Sequence, residues 1–196
     1  FSLLIMTEKE MIGVRDPHGF RPLCIGKLAN DTYVLSSETC ALDLIEAEFV
    51  RDVEPGEIVI IDDDGLRSIQ AFPEQEKRSF CIFEYVYFAR PDATLNDVSV
   101  YRARLRMGQN LAEGWKNKYP EKIPDIIIPA PSTANTAALS MATALGVRYS
   151  EGLYKNPFIG RTFIMPGQKA RKKSLRYKLT PQVTEISEKK VMIVDD

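Results

Sequence analysis

The spacing of apolar residues changes once along this chain, near residue 78, and that change limits the folds open to it. Over residues 1–70 the apolar runs are short: 1–6, 11–14, 22–25, 33–36, 58–61 and 66–69. They are broken by Asp16-Pro17-His18-Gly19, Pro55-Gly56 and Asp64-Gly65, all strong turn formers. One short helix is expected at 38–47. This reads as a sheet-rich, mostly antiparallel module, and the polar stretch 73–79 as a linker out of it.

Beyond the linker the elements lengthen. After an expected strand at 81–88, Ser99 can cap a helix whose apolar positions Val100, Ala103, Met107, Leu111 and Trp115 recur at steps of three and four. A buried strand at 125–130, a helix at 134–145 closed by Gly146, a strand at 147–149 and a buried strand at 191–194 follow. Strand, helix, strand in that order implies a parallel sheet with right-handed crossovers, which binds ligands at the carboxyl ends of its strands. The expected class is α/β, with an α+β first part.

Composition removes several alternatives. Of 196 residues, 44% are hydrophobic and 27% charged, an ordinary globular balance, and the net charge of −1 excludes a polyanion binder acting by bulk charge. No apolar run approaches the roughly 18 residues of a bilayer span. The cysteines, Cys24, Cys40 and Cys81, form no C-x-x-C pair, so neither a disulfide framework nor a zinc knuckle is suggested, and a reducing, cytoplasmic setting is expected. His18 is the one histidine, which excludes a multi-histidine metal site; it reads as a structural turn residue. Both ends read as lying inside strands.

Three features carry chemistry. Val191-Met192-Ile193-Val194 is followed by Asp195-Asp196, adjacent carboxylates at the carboxyl end of a buried strand. Such a pair can accept hydrogen bonds from sugar hydroxyls and ligate a hard cation such as Mg²⁺, or it can simply open a solvated turn. Residues 152–184 hold eight basic side chains and no acidic one: Lys155, Arg161, Lys169, Arg171, Lys172, Lys173, Arg176 and Lys178. Their mutual repulsion calls for an anionic ligand, a solvated basic face or a nucleic-acid patch. Pro129-Ala130-Pro131-Ser132-Thr133 lies between a strand and a helix, where Ser132 or Thr133 can cap the helix or offer a hydroxyl to a ligand; capping is the reading that spacing favours.

Four stretches then resemble one family. Arg15-Asp16-Pro17-His18-Gly19-Phe20-Arg21-Pro22-Leu23, Cys81-Ile82-Phe83-Glu84-Tyr85-Val86-Tyr87-Phe88-Ala89-Arg90-Pro91-Asp92, Gly160-Arg161-Thr162-Phe163-Ile164-Met165-Pro166-Gly167-Gln168 and the terminal Val191 to Asp196 run, in that order, are similar to the glutamine phosphoribosyl pyrophosphate (PRPP) amidotransferases. The resemblance implies that residues 1–77 are the C-terminal portion of an N-terminal-nucleophile glutaminase domain, and 78–196 the N-terminal portion of a type I phosphoribosyltransferase domain. It implies a glycosyl transfer in purine biosynthesis: glutamine, PRPP and water give 5-phosphoribosylamine, glutamate and pyrophosphate. By the same likeness Asp195 and Asp196 contact Mg²⁺ and ribose, and Thr133 supplies a metal-ligating hydroxyl. Lys155, Gly160, Arg161 and Thr162 belong to a lid over PRPP, with Lys155 and Arg161 meeting the pyrophosphate.

This chain departs from the family's lid pattern at Pro157 and Phe158. Its glutaminase nucleophile would lie upstream of Phe1, so the 196-residue chain alone is expected to be inactive. Cys81 stands where some members place a [4Fe-4S] ligand; the neighbouring sequence is closer to the branch without a cluster, which makes Cys81 a structural thiol. Small-molecule substrates (PRPP, glutamine or ammonia), purine nucleotides as feedback inhibitors and a homo-oligomer are implied, and neither nucleic acid nor membrane. The rival readings are a non-catalytic PRPP-sensing regulator, which would need a basic recognition helix that residues 1–70 do not carry, and a salvage phosphoribosyltransferase, which leaves the sheet-rich first half unexplained.

Overall fold

A computed structural model describes residues 1–73, 78–158 and 178–196. It divides into two compact units, 1–102 and 103–196. This division into compact units falls later than the expected 77/78 domain boundary, because 79–100 pack within the first unit. Ser79 and Cys81 donate backbone hydrogen bonds to His18 and Phe20, and Ala89, Ala93, Leu95 and Val100 bury against Cys40.

Besides a two-stranded antiparallel pair, β8 (Thr94–Leu95) with β9 (Val98–Ser99), the first unit holds two larger antiparallel sheets. One has the order β1 (Ser2–Met6), β2 (Met11–Arg15), β6 (Glu57–Asp62), β7 (Gly65–Gln70); the other is β4 (Tyr33–Ser36), β3 (Cys24–Lys27), β5 (Glu48–Asp52). Leu23, Ile25, Leu35, Val53 and Val59 form the core between them, and Ile25, Val53 and Val59 are completely buried. Removing each such side chain from water contributes about 1.5–3 kcal/mol. The expected helix is the shorter α1 (Thr39–Leu44).

Two expectations fail here. Strand β5 was not anticipated: Glu48-Phe49-Val50-Arg51-Asp52 is mostly exposed and carries too little apolar periodicity to announce a strand. The stretch 81–88, rich in aromatic residues and read as a strand, contains instead a π-helical turn over Glu84–Phe88, in which the Ala89 amide donates to the Glu84 carbonyl. An ion pair on the buried Glu84 overrides the β propensity of the aromatic residues: Glu84 accepts from Arg21 at 2.5 Å, and Arg21 also lies 4.7 Å from the centre of the Phe88 ring. Two of the family-like stretches thus interlock. The Arg15 guanidinium anchors that corner, donating to the carbonyls of Val53 (2.6 Å), Arg21 (3.0 Å) and Gly19 (3.3 Å) and to Asn96 Oδ1 (3.3 Å).

The second unit is built on a parallel sheet ordered β11 (Arg148–Tyr149), β10 (Ile126–Pro129), β14 (Val191–Val194). Strand β10 is buried along its whole length, as expected of a central parallel strand. Helix α2 (Val100–Lys118) starts with the Arg102 amide on Ser99 Oγ at 3.4 Å, the expected cap. Helix α3 (Asn135–Leu145) ends on Gly146 at φ 68°, also as expected. The buried stripe of α2 is Val100, Arg104, Gly108 and Ala112 rather than Ala103, Met107 and Leu111. Gly108 causes this rotation: a Cβ there would lie 2.2 Å from the Ala137 carbonyl oxygen, so the glycine lets α2 approach α3 closely. Ser140 Oγ donates to the Leu105 carbonyl at 2.7 Å across the same contact. A two-stranded antiparallel ribbon, β12 (Leu153–Lys155) with β13 (Leu179–Pro181), and the short α4 (Val183–Ile186) complete the unit.

Candidate functional site at the carboxyl ends of β10 and β14

The chain leaves β10 for α3 and β11 on one side, while β14 pairs on the other, so the strand order reverses between β10 and β14. Ligands of open parallel sheets bind where such a reversal opens a crevice at the carboxyl ends. The two strands stay in register to their last residues, Pro129 opposite Val194, and the Ala130 amide donates to the Val194 carbonyl at 2.8 Å. The 130–134 loop and the acidic pair therefore emerge side by side.

Asp195 and Asp196 are exposed, and the Asp196 amide donates to Asp195 Oδ1 at 3.0 Å. Partial burial and the adjacent Asp195 charge push the Asp196 carboxyl above the usual carboxylate range, against a lowering by Arg104. Two adjacent carboxylates suit a hard cation that keeps water and phosphate oxygens as its other ligands. Among the described residues no group of three or more His, Cys, Asp or Glu could hold a metal by itself, so Mg²⁺ fits this donor set only as a shared ion.

Thr133 is half-buried and Ser132 exposed in the loop, and the Pro131–Ser132 peptide is cis. Neither hydroxyl caps α3, contrary to the capping expectation. The helix opens from Ala134 without a side-chain cap, and the Asn135 amide reaches only the Ser132 backbone carbonyl at 3.4 Å. The α3 start, with its outward amides and positive dipole end, faces the carboxyl end of β10, where an anion is favoured.

Lys155 ends β12, exposed. At the end of the ribbon the Asn156 amide donates to the Lys178 carbonyl at 2.8 Å, so residues 156 and 178 are held together. Phe158 is 93% exposed. Gly160, Arg161 and Thr162, with Lys169, Arg171, Lys172, Lys173 and Arg176, lie outside the described residues.

In the first unit His18 is exposed at the tip of its turn, its amide donating to Asp16 at 3.0 Å, a structural use. Cys81 is buried, held by the Phe20 carbonyl through its amide. Burial pushes the Cys24 thiol up to about 12, helped by Asp52, and the Cys40 thiol up to about 11, helped by Glu38, so neither offers a thiolate nucleophile near neutral pH. Arg104, 4% exposed, escaped the sequence reading. The available signal was a charge in the small-residue series Arg104, Gly108, Ala112 at intervals of four.

No protein-family model matches the chain. It is 45% identical over 195 residues to the amidophosphoribosyltransferase of Pseudomonas aeruginosa, covering 98% of this chain and 39% of that protein. It is 42% identical over 196 residues to the amidophosphoribosyltransferase of Bacillus subtilis, covering 100% of this chain and 40% of that protein. Among solved structures, the allosteric regulatory enzyme of purine biosynthesis superposes with a TM-score of 0.85 at 42% identity, over 98% of this chain and 40% of that one. The glutamine PRPP amidotransferase of B. subtilis complexed with ADP and GMP superposes with a TM-score of 0.84 at 41% identity, over 99% of this chain and 41% of that one. The chain spans about two fifths of the length of these relatives, and within that span, by sequence and by fold, it belongs to the amidophosphoribosyltransferase family.

Proposed function

We propose that this chain supplies the PRPP-binding crevice of an amidophosphoribosyltransferase, the glycosyl transfer that opens purine biosynthesis, with the crevice at the ends of β10 and β14. One observation carries the reading: adjacent carboxylates and a hydroxyl-bearing loop stand together at the reversal point of a parallel sheet. In this reading residues 78–196 are the first part of the phosphoribosyltransferase domain and 1–77 the last part of the glutaminase domain, the nucleophile of which is none of Cys24, Cys40 or Cys81. The substrates are PRPP and glutamine or ammonia. Purine nucleotides regulate a cytoplasmic homo-oligomer in this reading, and the B. subtilis relative is complexed with ADP and GMP. Among the described residues no helix is long and apolar enough to cross a membrane.

Mg²⁺, when bound, neutralises the departing pyrophosphate. Asp195 and Asp196 accept hydrogen bonds from the ribose hydroxyls, hold the sugar as ammonia displaces pyrophosphate at C1, and stabilise positive charge developing on the ring. Thr133 offers a hydroxyl to the metal, and the α3 start receives phosphate oxygens. Lys155 meets the pyrophosphate, joined in this reading by Arg161, Gly160 and Thr162, which lie outside the described residues. In the full-length protein, Asp195→Asn and Asp196→Asn should each cut ammonia-dependent phosphoribosylamine formation by about 100-fold or more, the scale of losing one electrostatic contact at a reacting centre. Glutamine hydrolysis should fall far less. Full synthase activity in both variants at limiting Mg²⁺ would remove the carboxylates from the site.

A further inference from the structure

Arg104 is a buried cation on a helix stripe otherwise made of small residues. Its place follows from the packing of α2 on α3. Gly108 meets Ala137, and farther along Lys116 Nζ donates to the Ala144 carbonyl at 2.7 Å, so the two helices advance in the same direction. One turn back from Gly108 on the same stripe, Arg104 therefore lies toward the first residues of α3, abreast of the 130–134 loop. That is the carboxyl edge of the sheet, the end from which the Asp195–Asp196 pair emerges beside the loop.

Resting on the PRPP-binding reading above, we propose that Arg104 is a positioning residue that reserves the Asp195–Asp196 pair for a divalent cation arriving chelated by the polyphosphate of a sugar ester. The physics is a difference of sign. A bare divalent cation is drawn by the two carboxylates and repelled by the buried guanidinium. A metal–diphosphate ester complex carries net negative charge, so the same guanidinium attracts it. A fixed cation at that edge of the sheet thus weakens binding of the metal alone, keeps the pair open until substrate arrives, and favours the productive complex.

Three proteins decide it, each as the full-length protein that carries this chain: wild type, Arg104→Met and Arg104→Lys. Binding of Mn²⁺ alone is read by electron paramagnetic resonance, and binding of Mg²⁺ with PRPP by calorimetry. Arg104→Met should bind bare Mn²⁺ roughly 5- to 10-fold more tightly and Mg²⁺-PRPP weaker by a similar factor, as expected for one charge removed at short range in a partly screened site. Arg104→Lys, which keeps the charge, should stay near wild type in both. Should Arg104→Met lower the thermal unfolding midpoint too far for titration, Arg104→Gln, which keeps an amide donor without the charge, carries the same comparison. Parallel loss of both affinities, or no change in either, overturns the assignment. Wild-type binding of Mg²⁺-PRPP that Asp195→Asn and Asp196→Asn leave untouched would instead sink the underlying site reading, whatever Arg104 does.

Discussion

At the scale of single residues, the structure places most buried charge where hydrogen bonds meet its desolvation cost. Arg15 donates to three carbonyls and Asn96, which accounts for the Arg15 to Leu23 stretch as architecture. Glu57, on β6, is the clearest thermodynamic case. It accepts from Arg51 at 2.8 and 2.6 Å and from the Glu54 amide at 2.7 Å. Burial alone would raise its carboxyl, but these bonds, one from Ser68 and the Arg51 charge together lower it below the ordinary value of 4.5. A depressed carboxyl contributes stability that is fully present above its unfolded value and is lost as pH falls through the folded one. Glu57→Gln should therefore cost about 1–3 kcal/mol at pH 7, held to that range by the partial exposure of Arg51. The gap from wild type should close as urea unfolding is followed from pH 5 downward. A gap independent of pH would show that the shape of Glu57, rather than its charge, is what matters.

At the scale of elements, the turn-bounded strands of the first unit and the strand, helix, strand order of the second were legible, because alternation and turn chemistry act locally. The misses share a cause, which is that tertiary contacts outweighed local preference. The aromatic stretch 81–88 curls into a π-helical turn because Glu84 must reach Arg21. The ribbon of β12 with β13 joins residues 24 or more apart and leaves no local signature. Helix α2 turns a stripe of small residues inward because Gly108 fits where larger side chains would not. That contact makes a sharp prediction. Gly108→Ala should gain about 1 kcal/mol of helix propensity, yet destabilise the protein by a net of about 1–3 kcal/mol, since its Cβ would need the Ala137 backbone to withdraw. Chemical denaturation reads the sign directly, and a stabilised variant would mean that the two helices are not held this closely.

At the scale of the whole molecule, the candidate site was legible only in part. Asp195 and Asp196 stood out as acids ending an apolar strand, whereas Thr133 entered as a metal ligand only through the family resemblance, its spacing having suggested a cap that α3 does not carry. Arg104 did not, because in sequence it is one arginine in a helix that also carries Arg102 and Arg106. Its significance depends on the direction in which α2 runs past α3, which no local pattern encodes. The family resemblance covers the chain from end to end, but the chain spans about two fifths of its relatives. The crevice is therefore the claim to test in place. Amide hydrogen exchange of the full-length protein, with and without Mg²⁺ and PRPP, does so most directly. The account predicts ligand-dependent slowing at residues 130–135 and 195–196, with the β1–β2 and β6–β7 hairpins unchanged. Undiminished exchange at both of those segments, with PRPP demonstrably bound, would contradict a PRPP site at the ends of β10 and β14.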